Sequence, residues 1–302
     1  MSLLDSLVVK TLPLVPKSVV RRVAARYVAG ETLADAVRAI KQLNAEGCSA
    51  TTDLLGEFTT DAAQANATAR GYLDMLDAIA REKLDSGVSI KLTAFGLDVG
   101  ADGFDLCLKN ARMVVEKARA IGKFVRIDME NSPYTDRTID VYRRLRAEFP
   151  NTGLVLQARM RRTPADVDAI LPWGADFRIC KGIYLEPAEI AWTAGADINR
   201  AYLAVLEKML RGGAKVGIAT HDDALVDGAL RLVAELKIPA ERFEFQMLLG
   251  VREELRRRIR GLGHPVRVYV PYGSDWYGYS CRRLRENPQI GGHVVRAFFG
   301  MK

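Results

Sequence analysis

The alternation of strand-like and helix-like segments predicts an α/β chain folded as a single (β/α)8 barrel, with a doubly wound open sheet as the lesser alternative. Eight short segments of β type recur, at 51–55, 88–92, 124–128, 153–157, 176–180, 215–220, 243–247 and 266–270. Their starts lie 23 to 39 residues apart, room for one crossover helix in each interval. Within the intervals, apolar residues recur at helical spacing, as in Phe104, Leu108, Ala111, Val115 and Ala118, or Leu225, Ala229, Leu232 and Leu236.

Residues 1–50 stand outside the alternation and are expected to pack on a barrel formed by 51–302. Val19 to Tyr27 and Thr32 to Leu43 read as two helices, with Gly30 to Thr32 as the break and cap between them. Beyond the eighth strand, Ser274 or Asp275 can cap a final helix that stops at Asn287-Pro288 and carries Tyr279, Arg282 and Arg283. Tyr279 and Arg283 are four residues apart, on one face of that helix. No Pro/Gly/Ser-rich linker divides the chain, and the βα unit is its one self-similar element.

A composition of 49% apolar and 27% charged residues over 302 positions is that of an ordinary globular protein, neither low-complexity nor disordered. No uncharged apolar run approaches the ~18 residues of a membrane span, and MSLLDSLVVK lacks a basic segment ahead of a long apolar one, so a cytoplasmic location is expected. Cys48, Cys107, Cys180 and Cys281 show neither a CxxC pair nor zinc spacing, which leaves reduced thiols as the expectation. The net charge of +7 mildly favours anionic partners or an anionic surface. The basic clusters at 159–162 and 256–260 have no aromatic interleaving, so they read as solvated helix ends, and no nucleic-acid partner is expected.

Strands of a parallel sheet normally read as nearly continuous apolar runs. Here, with period two, Lys91, Arg126, Asp128, Gln157, Arg178, Glu244, Gln246, Arg267 and Tyr269 all point inward, mostly near carboxyl ends. An unpaired buried charge costs several kcal/mol, so the set must pair internally or serve a ligand. Barrel active sites draw on the C-terminal ends of several strands at once, and the clustering therefore points to an enzyme.

The absence of GxGxxG and GxxxxGK[ST] excludes the usual Rossmann and P-loop nucleotide sites. His221-Asp222-Asp223 follows the sixth strand, but His264 and His293 lie far from any strand end. His221 then reads as a loop or capping residue with Asp222 as N-cap, and no metal is expected. Lys91 and Lys181, each at a strand end, suit either a class I aldolase Schiff base or anion binding. Arg282-Arg283 is either a solvated pair or, placed over the mouth with Tyr279, a bidentate grip on a small carboxylate. A non-catalytic barrel that binds a small anion through its arginines is the reading from another class.

Seven segments, in order, resemble the motifs of proline dehydrogenase: SIKLTAFGLD (89–98), FVRIDMENS (124–132), VLQARMRRTPAD (155–166), FRICKGIYLEP (177–187), IATHDDAL (218–225), FEFQMLLGVREEL (243–255) and VRVYVPYGSDWYGYSCRRLRENPQ (266–289). The resemblance extends to RYVAGETLADAV near the N-terminus, and the length is similar to that of the monofunctional bacterial enzymes. It implies a distorted (β/α)8 TIM barrel with a final helix over its mouth, which binds FAD and oxidises L-proline to Δ1-pyrroline-5-carboxylate with electrons passed to a membrane quinone. By motif, Lys91, Arg282 and Arg283 bind the proline carboxylate, Tyr269 and Tyr279 pack near its ring, and Asp128 orients the substrate-side network. Arg178 lies near the flavin N5, Met129 and Gln157 near the isoalloxazine, Lys181, Gly182 and Ile183 along the ribityl and phosphate side, and Thr220 and His221 near the diphosphate. Spacing alone does not separate FAD from FMN. The sequence leaves open a separate pyrroline-5-carboxylate dehydrogenase as recipient of the product, a peripheral contact with the inner face of the membrane, and whether Asp128 is a base or a structural partner. Ile183, Arg159 and Leu249 depart from the residues usual in the family.

Overall fold

A computed structural model describes residues 21 and 25–280. Eight parallel strands close into one barrel in sequence order: β1 (Ser49–Leu54), β2 (Ser86–Ile90), β3 (Val125–Ile127), β4 (Thr152–Gln157), β5 (Asp176–Cys180), β6 (Lys215–Ala219), β7 (Phe243–Leu248) and β8 (Val266–Tyr272). The ladder of β8 on β1, from Ser49↔Arg267 to Leu54↔Tyr272, completes the closure and rules out the open sheet. All eight strand positions expected from the sequence are occupied. Closure is what lets a sheet bury both faces with no edge left over.

A helix, α1 (Leu33–Ala45), precedes β1 and packs against β1 and β8. Thr32 caps it in a reciprocal box, its hydroxyl accepting from the Asp35 N–H at 3.2 Å while its own N–H donates to the Asp35 carboxylate at 3.1 Å. Residues 25–27 form a turn, so the helix read over Val19 to Tyr27 does not reach its expected end. Seven crossover helices follow the first seven strands: α2 (Ala62–Arg81), α3 (Gly103–Ala120), α4 (Thr135–Glu148), α5 (Thr163–Ile170), α6 (Gly195–Arg211), α7 (Asp223–Glu235) and α8 (Glu253–Gly261). After β8 a helix begins at Trp276, with Asp275 ahead of it, and the Ser280 hydroxyl donates to the Trp276 carbonyl at 2.6 Å. Cys281, Arg282 and Arg283 lie outside the described residues.

The core lies between the strands' outward faces and the helices, where Ile90, Ile127, Leu154, Phe177, Ile179, Val216 and Val268 are fully buried against Tyr72, Val114, Leu145, Tyr202 and Val226. Inside the barrel the polar residues divide into two layers, which corrects the expectation that they gather at carboxyl ends. The lower layer pairs Arg126 with Asp176 and Arg267 with Glu244, each at 2.6 Å. For Arg126, Glu244 and Arg267 the alternative of an internal network is the correct one, with Asp176 as a partner that the parity reading did not include. Burial opposes ionisation of Glu244, yet the Arg267 guanidinium overrides it and holds the carboxyl below its ordinary range.

Room for this layer comes from missing side chains. A Cβ at Gly153 would sit 2.3 Å from an Arg126 guanidinium nitrogen and 2.7 Å from the Asp176 carbonyl oxygen, which is backbone and cannot swing away. Gly153→Ala is expected to destabilise the fold by about 1–3 kcal/mol through overpacking. Gly195→Ala is the control, because its added methyl would meet nothing within 4 Å at the start of α6. Urea midpoints measured side by side check this, and equal midpoints for the two variants would show that Arg126 repacks at no cost.

Candidate active site

The upper layer is built from β1, the ends of β2 and β3, and the middle of β5 and β8, and its centre is Asp53 on β1. That side chain is completely buried and accepts from the Lys91 ammonium at 2.6 Å and from the Tyr72 hydroxyl of α2 at 2.9 Å. Lys91, one residue past β2, also donates to the Tyr269 hydroxyl at 3.3 Å and lies 3.8 Å from Asp128. Asp128, just past β3, has both oxygens engaged: Oδ1 accepts from Arg178 at 2.7 Å and Ser89 at 2.8 Å, and Oδ2 from Tyr269 at 3.0 Å. Four of the expected residues, Lys91, Asp128, Arg178 and Tyr269, are thus in one hydrogen-bonded group. Two cations and two carboxylates balance within it.

Burial opposes the charge on Lys91, but the facing Asp53 and Asp128 carboxylates outweigh it and hold the amine protonated, above the ordinary lysine range. The Tyr269 phenol is likewise kept protonated, well above its ordinary value, by burial and by the carboxylates of Asp128 and Asp53. An ammonium has three donors, and Asp53 and Tyr269 take two of those on Lys91 at hydrogen-bonding distance, which leaves one for a ligand.

The expected cofactor residues line the adjoining arc of the mouth. Gln157 ends β4 and donates to the Glu130 carbonyl at 2.8 Å, while Met129 precedes Glu130 in the same loop and is buried. Lys181, Gly182 and Ile183 follow β5. Lys181 is paired with Asp222 at 2.7 Å, and Asp222 caps α7 by accepting from the Ala224 N–H. Thr220 and His221 follow β6; the Thr220 hydroxyl accepts from the Asp222 N–H, and His221 Nε2 accepts from the Leu248 N–H at 2.9 Å. An accepting Nε2 places the neutral ring's proton on Nδ1. The loop after β5 reaches across to the loop after β3, where Glu186 accepts from the Ser132 N–H at 2.7 Å and its hydroxyl at 2.6 Å.

Tyr279 packs against Val28 and Leu55, nearly fully buried, over the end of β1. The arginine pair expected beside it lies outside the described residues. Among the described residues, no three His, Cys, Asp or Glu side chains gather as a metal site.

Sequence reasoning missed Asp53, Tyr72 and Glu130. Asp53 was accessible in principle, because Thr51 and Asp53 alternate with Thr52 and Leu54 by the same period-two rule that picked out the other strands. Tyr72 gave no signal, being one apolar position among many on a helix. Glu130 lies past the end of β3, where parity lapses. Its carboxylate accepts from the Thr93 N–H at 3.1 Å and the Thr93 hydroxyl at 2.5 Å, and it is 1% exposed.

Residues 36–296 match the sequence profile of the proline dehydrogenase family. The chain is 37% identical over 273 residues to proline dehydrogenase 1 of Bacillus subtilis subsp. natto, covering 90% of this chain and 89% of the relative. It is 36% identical over 275 residues to the proline dehydrogenase of Deinococcus radiodurans, with the same coverage. Among solved structures, proline utilization A of Bdellovibrio bacteriovorus inactivated by N-propargylglycine superposes with a TM-score of 0.82 at 25% identity, over 88% of this chain and 33% of that longer one.

Burial lifts the Glu130 carboxyl from an ordinary 4.5 to about 7, against the lowering effect of Thr93. The folded state therefore binds this proton more tightly than the unfolded state does. The resulting stability is fully present below pH 4.5 and is lost as pH rises through about 7. Glu130→Gln lacks the titration, so its stability relative to the parent is expected to rise across that window by on the order of 3 kcal/mol. Denaturant titrations from pH 5 to 8 check this, and a difference that stays constant would mean that Glu130 ionises normally.

Proposed function

The chain belongs to the proline dehydrogenase family and is an oxidoreductase of proline catabolism; from that premise we propose that it oxidises L-proline to Δ1-pyrroline-5-carboxylate at the barrel mouth with FAD as cofactor and a membrane quinone as final acceptor. The observation that carries this reading is the charge-balanced group of Asp53, Lys91, Asp128, Arg178 and Tyr269 at the strand ends. It holds cations rigidly, with one Lys91 donor still available to a carboxylate.

The residues along the β4 to β6 arc fit a flavin nucleotide. Gln157 Oε1 and Arg159 Nε are buried without hydrogen-bond partners, one an acceptor and one a donor. Gly182, at φ +98°, leaves open the space in which a Cβ would come within 2.6 Å of that Gln157 oxygen. Met129, Gln157, Arg178, Lys181, Gly182, Ile183, Thr220 and His221 would hold the cofactor. When bound, FAD supplies the acceptor for the hydride on proline C5.

This chain's residues then have separate tasks. Lys91, with Arg282 and Arg283, grips the substrate carboxylate, and Tyr269 and Tyr279 bound the space for its ring. Arg178 places a cation where negative charge develops. Asp128 orients Arg178 and Tyr269; with donors on both oxygens it is a structural partner, and the amine proton leaves to solvent. The same geometry disfavours the aldolase alternative at Lys91, since a Schiff-base lysine must be neutral and Lys91 is held protonated. Among the described residues no helix is long and apolar enough to cross a membrane. Cytoplasmic location, peripheral contact with the membrane's inner face and transfer of product to a separate pyrroline-5-carboxylate dehydrogenase complete the proposal.

The purified protein is expected to show a flavin absorbance band that bleaches on anaerobic addition of L-proline; a band that survives proline would overturn the substrate. Arg283→Ala is expected to raise the KM for proline strongly while flavin stays bound, because a lost carboxylate contact removes mainly ground-state binding. Lys181→Ala is expected to weaken flavin retention and leave proline affinity in place, and a flavin-release assay showing the reverse would exchange the roles of the two lysines.

A further inference from the structure

Arg178 is held at two of its three nitrogens. Nη1 donates to Asp128 at 2.7 Å and to Ser89 at 3.3 Å, and Nε donates to the side-chain oxygen of Gln246 on β7. Nη2 has no hydrogen-bond partner among the described residues. The Gln246 amide is itself fixed, because its Nε2 donates at 2.6 Å to Glu244 Oε1, which accepts at 2.6 Å from Arg267 Nε; Arg267 is in turn anchored to the Ala50 carbonyl at 2.7 Å.

The direction of every bond in this chain is forced. A guanidinium only donates and a carboxylate only accepts, so the amide between them has one possible orientation. Gln246 is 5% exposed, and Gly217 on the neighbouring strand clears its place, since a Cβ there would lie 2.4 Å from Gln246 Nε2. A carboxylate in place of Gln246 would bond Arg178 equally well but would add a negative charge against it, and would face Glu244 with a second negative charge. A neutral amide avoids both.

We propose that Gln246 is a positioning residue for the oxidation: it fixes the plane of the Arg178 guanidinium through a neutral acceptor, braced from the lower layer by Glu244 and Arg267, so that the Nη2 edge, unpartnered among the described residues, is presented with its charge uncancelled from that side. The inference rests on the reading that Arg178 serves the bound flavin. It joins the two polar layers, otherwise separate, into one support for a single cation.

Two substitutions separate orientation from charge. Gln246→Leu removes the acceptor and leaves Arg178 charged. The exchange of Glu244→Gln with Gln246→Glu keeps every donor and acceptor in the chain but sets a carboxylate against Arg178. With Gln246→Leu, kcat is expected to fall about tenfold to a hundredfold, the cost of misplacing a catalytic group by about an ångström, while the KM for proline changes much less. In the exchanged variant the bound flavin is expected to have a more negative midpoint potential than in the parent, with thermal stability retained. Independently of any flavin, the Arg178 Nε–H resonance of nitrogen-15-labelled protein is expected to be protected from solvent exchange in the parent and in the exchanged variant, and to lose protection with Gln246→Leu.

Parent-like kcat in folded, flavin-loaded Gln246→Leu protein, or a protected Nε–H in that variant, overturns the positioning role. A parent-like potential in the exchanged variant overturns the claim about neutrality. Should the parent not bleach with proline, the functional reading fails, and the resonance arm still decides whether Gln246 orients Arg178.

Discussion

Charge neutralisation inside a closed barrel is the constraint on which the rest of this structure depends. Isolated ions in such an interior would cost several kcal/mol each. Here Lys91 and Arg178 face Asp53 and Asp128 in the upper layer, while Arg126 and Arg267 face Asp176 and Glu244 in the lower. Each layer balances by itself. The difference between them is access: the lower layer is spent on its own pairs, whereas among the described residues the upper one leaves one Lys91 donor and the Arg178 Nη2 edge without a hydrogen-bond partner.

That arrangement depends on absent atoms as much as present ones. Gly153 gives Arg126 its place and Gly217 gives Gln246 its place, both by contacts shorter than any Cβ tolerates. The loops then complete the mouth. The segment after β5 is tied to the loop after β3 by Glu186 and Ser132, and to the segment after β4 by Arg159, which donates to the Tyr184 carbonyl at 2.7 Å. A rigid floor of buried ion pairs and a tied roof of loops leave the polar groups between them little freedom to relax, which is the condition for electrostatic preorganisation.

Much of this was legible in the chain itself. The eight strands declared themselves as short β-type segments spaced for one crossover helix each, and Lys91, Asp128, Arg178 and Tyr269 by parity, because inward positions of a barrel strand repeat every second residue. Parity could not assign depth: Arg126 on β3 and Asp128 just past its end are two residues apart, yet one belongs to the floor and the other to the site. Nor could it find Tyr72, which reaches Asp53 from a helix.

The sequence by itself determined the barrel, the strand positions and, through seven ordered motifs, the family, because those depend on local patterns of residue type. Only the tertiary structure decided which charges neutralise one another, that Asp53 rather than Asp128 is the closest partner of Lys91, and that Gln246 bridges the two layers. Those facts depend on register and on distances between strands far apart in the chain, which no local pattern records.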